Sequence, residues 1–228
     1  MHKLKRNFKE ISRAPVVKFA CSKRTLNIFK FLCKPRFVVV LTLQYAGVQN
    51  MRFDYDTYVV LDMSMPVAQQ IMSIRERYRD WFLKSLPVEI TLTGSSGAGV
   101  FDPQQDPEEA FSVLDAIAAE TAPIQASFGK VLRFSNTDIF VFTLEDERPF
   151  RALHERIAKS SLRFKPSPFP YKPHCTLRRL APVSEEEATE LLSLRIPGRF
   201  MLDTMSIYML DKLPMTLLHQ VKLTGSTV

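Results

Sequence analysis

Two stretches of this chain, 85 residues apart, carry the same short pattern, and that internal repeat constrains the fold more than any other feature. Val88-Glu89-Ile90-Thr91-Leu92 and Pro173-His174-Cys175-Thr176-Leu177 both place apolar residues at alternate positions, as a half-buried strand does. Side chains alternate across a strand, so His174 and Thr176 share one face, and Glu89 and Thr91 share the equivalent face. Each strand thus offers a proton-transfer group beside a hydroxyl. Its other face gives Ile90, Leu92, Cys175 and Leu177 to a core. The repeat extends upstream. Tyr58 to Leu61 is an apolar strand, and after Pro66 the residues Val67, Ile71, Ile74, Tyr78 and Trp81 fall at helical spacing. In the second half, Ile139 to Leu144 is an apolar strand, and after Pro149 the residues Phe150, Leu153 and Ile157 fall at helical spacing. Each copy reads as strand, helix, strand. Two large copies are a duplication and not a solenoid.

A duplicated strand-helix-strand unit ending in H-x-T resembles the two-histidine (2H) phosphoesterases. Within them it is most similar to the bacterial 2′-5′ RNA ligase and RNA cyclic phosphodiesterase group. Pro173-His174-Cys175-Thr176-Leu177-Arg178-Arg179 is similar to that family's P-H-x-T-L-x-R, and the likeness runs from about Tyr58 to Leu223. The departure is Glu89, which stands where the first motif histidine belongs. The resemblance implies two pseudo-symmetric lobes facing each other across a cleft, with one motif strand in each. It implies an RNA or nucleotide substrate with a 2′,3′-cyclic phosphate or 2′-5′ linkage, handled by acid–base catalysis without a metal.

By that resemblance His174 is a general acid or base, and Thr176 and Thr91 are phosphate ligands. The chemistry suits the residue types. Imidazole titrates near neutrality, and a hydroxyl is a neutral, adjustable donor to phosphate oxygen. Glu89 joins the candidate catalytic set as a base if burial raises its pKa from about 4.3 towards neutrality; as an anion it repels phosphate. A catalytically silent phosphate- or RNA-binding module on the same scaffold is the rival reading. A hydrolase of small cyclic nucleotides or sugar cyclic phosphates is a third.

Three further residues are candidate substrate contacts. Arg178 shares the face of His174 and Thr176 if alternation continues, and a guanidinium there pairs with a phosphate. Arg179 matches the family's motif arginine by position but faces the other way by alternation. The plainer reading of both is a solvated strand end. Tyr171, with Phe169, stands ready to stack on a base at the cleft rim, against the plainer reading of simple packing. His154 lies on an outer helix without partners in sequence, and His219 in the last strand is not assigned.

The formal charge of +7 is unevenly placed. Residues 1–50 hold eleven lysines and arginines against Glu10 alone, which leaves 20 basic and 23 acidic residues in the remainder. The basic balance therefore belongs to the head and says little about the body's substrate. Residues 1–50 read as a transit segment, a membrane-surface arm or an upstream mis-start ahead of Met51, with 51–228 as the phosphoesterase-like domain. The apolar stretch Phe37 to Leu43 is far shorter than the roughly 20 residues a membrane span needs. Three cysteines give no disulfide framework, and no paired Cys or His spacing suits zinc. The expectation is a monomer in a reducing cytoplasm with no cofactor and no bound metal.

Along the rest of the chain, Gly94 to Gly99 is a loop that lacks the Gly-Lys-Ser/Thr ending of a P-loop. Asp106 with Glu109 and Ser184 with Glu187 read as capping boxes opening helices. Lys130 to Phe134 pairs with Ile139 to Leu144 as a hairpin. Lys165 to Tyr171 is too rich in proline for a helix. Arg199 to Leu210 and Leu217 to Leu223 read as closing strands. The class is α+β, with mostly antiparallel sheets and helices on their outer faces.

Overall fold

The computed structural model describes residues 51–179 and 182–226, so the expectations for residues 1–50 lie outside the described residues. The protein is α+β, as the alternating patterns predict. Strands β1 (Thr57–Asp62) and β2 (Glu89–Thr93) join β8 (Thr204–Met209) and β9 (Thr216–Lys222) in an antiparallel sheet of order β2-β1-β8-β9. Strands β4 (Phe128–Arg133), β5 (Phe140–Leu144) and β6 (Cys175–Arg178) form a second antiparallel sheet in that order. A two-stranded ribbon of β3 (Ile124–Ala126) and β7 (Phe200–Leu202) links them, since β3 leads into β4 and β7 into β8. The expected single strand from Arg199 to Leu210 is therefore two strands. The chain changes sheets at Asp203, whose carboxylate holds the Thr204 hydroxyl and the Lys222 ammonium.

The motif strands β2 and β6 occupy the facing edges of the two large sheets and approach each other. Helix α1 (Val67–Arg77) packs on β6, and α4 (Arg148–Ala158) packs on β2, so each half's helix supports the other half's motif strand. The core is built from the faces the alternation assigns to it. Ile90, Leu92, Cys175 and Leu177 are all fully buried, as are Ile71, Phe150 and Ile157 from the helix stripes.

The first helix stops earlier than its apolar spacing suggests. Arg79 takes a positive φ of 53°, and Asp80 then caps a separate short helix, α2 (Trp81–Lys84), by accepting from the Leu83 amide at 3.0 Å. Trp81 is thereby turned out and stays 59% exposed, where the stripe places it in the core. Helix α3 (Pro107–Ala119) buries Ala110, Leu114 and Ile117 as expected. Its box is half made: Asp106 accepts from the Glu109 amide, while the Glu109 carboxylate takes the Gln105 side chain instead. The box at Ser184 and Glu187, opening α5 (Glu185–Ser193), is complete.

Candidate functional site

Both motif strands carry the same irregularity. Between Val59 and Val60 of β1 the partner on β2 advances from Thr93 to Thr91, and between Phe140 and Val141 of β5 the partner on β6 moves from Arg178 to Thr176. Two residues thus stand against one in each pair, a bulge at Leu92 and at its repeat equivalent Leu177. A bulge breaks strict alternation, and this decides where the two arginines go. Arg178 is buried and donates to the backbone oxygens of Tyr78 and Pro182. Arg179 lines the cleft instead, its amide held by Asp80 Oδ2 at 2.7 Å and its guanidinium 5.3 Å from the Phe82 ring. The facing read from simple alternation is thus reversed for both.

Upstream of the bulges the alternation holds. Glu89, Thr91, His174 and Thr176 all line one cavity of about 100 Å³, together with Arg179, Arg75, Tyr58 and Tyr208. That cavity opens into a wider one of about 490 Å³, walled by Phe134, Phe169 and Lys172, and the two share Ser95, His174, Thr176 and Arg179. The loops at 94–99 and 165–171 close over this side. They are tied by the Gly97 amide to Phe169 O at 2.9 Å and by the Ser167 hydroxyl to Ser95 O at 2.9 Å.

His174 Nδ1 lies 2.6 Å from Lys172 O, which places the ring proton on Nδ1 and leaves Nε2 with its lone pair. The Phe134 ring meets the imidazole edge to face at 5.3 Å. Burial holds the His174 pKa below its ordinary 6.5, so the neutral ring is favoured. Glu89 moves the opposite way for the same reason. Burial pushes its carboxyl up from the ordinary 4.5 to about 7, against the Thr91 hydroxyl, which donates to Oε2 at 2.9 Å, and against the nearby Arg75 charge. A glutamate at this position is therefore a proton donor for part of its population near neutrality and not a fixed anion. Tyr58 and Tyr208, directly paired across β1 and β8, are pushed up to about 12 chiefly by burial and remain neutral hydroxyls.

Tyr171 does not reach the rim. It is buried, its ring stacks on His154 at 3.9 Å, and its hydroxyl donates to Thr91 O at 3.1 Å. Phe169 is the exposed aromatic of that segment. His154, partnerless in sequence, is buried against β2 with Nδ1 at 2.7 Å from Leu92 O. His219 lies apart from the cavity and pairs with Asp115 at 2.6 Å while stacking on Phe111. Arg75 was missed. It is 1% exposed and donates to Thr176 O, Leu83 O, Leu86 O and Pro87 O. The available signal was a charge at position 75 between Ile71 and Tyr78, on the buried stripe of α1.

Residues 63–212 match the 2′-5′ RNA ligase superfamily. The chain belongs to that superfamily. Among solved structures it is similar to TT0787 of Thermus thermophilus, at 17% identity and a TM-score of 0.54, covering 78% of this chain and all of that one. E. coli LigT complexed with 3′-AMP matches at 17% identity and a TM-score of 0.44, over 75% of this chain and 99% of LigT. Usb1 of Kluyveromyces marxianus matches at 14% identity and a TM-score of 0.42, over 71% of this chain and 97% of that one. No curated protein sequence matches the chain. Membership of the superfamily supports a phosphoesterase-like activity. Among the described residues no helix is long and apolar enough to cross a membrane.

Proposed function

We propose that this protein is a phosphoesterase of RNA or nucleotide 2′,3′-cyclic phosphates, or of 2′-5′ linkages, and that it works by acid–base catalysis between His174 and Glu89. The observation that carries this reading is the convergence of both motif pairs on one phosphate-sized cavity with a buried guanidinium, Arg75, in its wall. Arg75 gives its hydrogen bonds to neutral backbone carbonyls, so its charge in the cavity wall is offset by Glu89 only when that carboxyl is ionised, and favours an anion when Glu89 holds its proton. The adjoining space, with Phe134 and Phe169 on its walls, suits a nucleoside.

The protons balance as follows for a cyclic phosphate. Water attacks phosphorus and gives a proton to His174 Nε2. The bond from phosphorus to one ribose oxygen breaks, and that oxygen takes the proton of the Glu89 carboxyl. A phosphomonoester and a free ribose hydroxyl leave, and the proton returns from His174 to Glu89 through solvent. Thr91, Thr176 and Arg179 hold the phosphate oxygens. A bound phosphate raises the proton affinity of Glu89 further, because an anion beside a carboxyl disfavours its ionisation.

The test is turnover of a 2′,3′-cyclic nucleotide by the full chain. His174→Ala lowers the rate by about 10²–10⁴-fold, the span of one general acid or base. Thr176→Ala weakens phosphate binding by about 1–2 kcal/mol, one hydrogen bond to a charged group. If neither the natural chain nor Glu89→His turns the substrate over while both bind phosphate, the protein is a binding module and the catalytic reading is wrong.

A further inference from the structure

The motif strands β2 and β6 are edge strands, so backbone groups on the side away from β1 and β5 require partners from elsewhere, and the opposite half supplies them. Next to the first bulge, Thr91 O accepts from the Tyr171 hydroxyl at 3.1 Å, and at the bulge itself Leu92 O lies 2.7 Å from His154 Nδ1. Both donors belong to the second half. Next to the second bulge, Thr176 O accepts from Arg75 Nε at 3.2 Å and Nη2 at 3.0 Å, and Arg75 belongs to the first half. The bonds span 80, 62 and 101 residues of sequence.

Neither donor is explained by packing alone. Arg75 is a buried cation bonded to neutral carbonyls, and an apolar side chain of like volume fills such a site at lower cost. Tyr171 buries its ring on His154 and still directs its hydroxyl to the one carbonyl of the motif threonine. The planar guanidinium fork places two donors on one oxygen, which fixes direction as well as distance.

We propose that Arg75 and Tyr171 are reciprocal positioning residues: each fixes the motif threonine of the other half, and together they set the gap across which Thr91 and Thr176 grip a phosphate. This rests on the phosphoesterase reading above. Neither residue gives or takes a proton. Their effect is on where the two hydroxyls stand relative to His174 and Glu89.

Two conservative variants of the full chain test this. Tyr171→Phe keeps the stacked ring and loses the hydroxyl; Arg75→Lys keeps the charge and loses the fork. Amide hydrogen exchange reads the brace without any reaction. Tyr171→Phe is expected to speed exchange in Glu89–Thr93, and Arg75→Lys in Cys175–Arg178, each in the half to which the altered residue does not belong. Turnover of a 2′,3′-cyclic nucleotide is expected to fall in kcat by about 10–100-fold with a smaller change in KM, since misplacement of about 1 Å costs up to about 10²-fold. The double variant loses less than the product of the two, because one released wall already spoils the gap. Where Arg75→Lys fails to fold, Tyr171→Phe decides alone. Unchanged exchange in the opposite motif strand overturns the proposal, and so does full kcat in a folded variant. Absence of turnover in both the natural chain and Glu89→His sinks the phosphoesterase reading instead. The brace is then judged by exchange and by affinity for inorganic phosphate, which both variants are expected to lower and which, if unaltered, refutes the brace.

Discussion

The environment of Glu89 changes what its carboxyl can do. A solvated glutamate is an anion at neutral pH and opposes a phosphate. Burial raises this one to about 7, while burial holds His174 below 6.5, and the proposed mechanism assigns the carboxyl the acid's part and the imidazole the base's. The rate is therefore expected to rise with pH as His174 loses its proton, below 6.5, and to fall above about 7 as Glu89 loses its own. Glu89→Gln removes the alkaline limb along with most of the rate, which a pH profile of kcat/KM reads directly. Stability carries the opposite signature to an ordinary carboxylate. Because the folded pKa is raised, the folded state holds the proton more tightly, and Glu89 costs stability as pH rises from 4.5 through about 7. Glu89→Gln is accordingly expected to stabilise the protein above pH 7 by up to about 3 kcal/mol and to flatten that slope, as denaturant melts across the window would show.

Among the elements, α5 offers the cleanest test of a sequence signal. Ser184 accepts from the Glu187 amide while Glu187 accepts from the Ser184 amide, so Ser184→Ala is expected to cost about 1 kcal/mol in denaturant melts without touching turnover. Local signals of this kind were legible throughout: the strand faces at 88–92 and 173–177, the helix stripes, and the Pro-rich loop. The resemblance added the convergence of the two motifs. What escaped is everything set by long-range geometry. A bulge at Leu177 cannot be told from an unbroken strand by periodicity, so Arg178 and Arg179 exchange the faces that alternation assigns. Arg79 in a left-handed conformation ends a helix that the apolar spacing would continue to Trp81. Tyr171 and His154 find each other, and β2, only when the chain has folded. Asp203 divides a run of strand residues that alternation alone leaves whole.

Across the molecule, the body closes on an aromatic stack that begins just after residue 50. Phe53 stacks on Phe101 at 4.5 Å and Phe101 on Phe164 at 5.0 Å, with Phe53 and Phe101 both 1% exposed. A chain beginning at Met51 keeps that stack and is expected to melt with the full-length protein. Phe53→Ala in either chain is expected to cost about 3–5 kcal/mol, the range for a buried phenylalanine, measured by denaturant unfolding. A large loss on removing residues 1–50 would mean that the body's stability begins before Met51.

The two walls of the cleft come from one polypeptide that carries its repeat twice. A symmetric pair of single-repeat chains would present the same residue from both sides, because a twofold axis copies every change made to one wall onto the other. Covalent joining lifts that constraint. Here one wall carries a carboxyl and the other an imidazole, an asymmetry open to a fused repeat and closed to a homodimer.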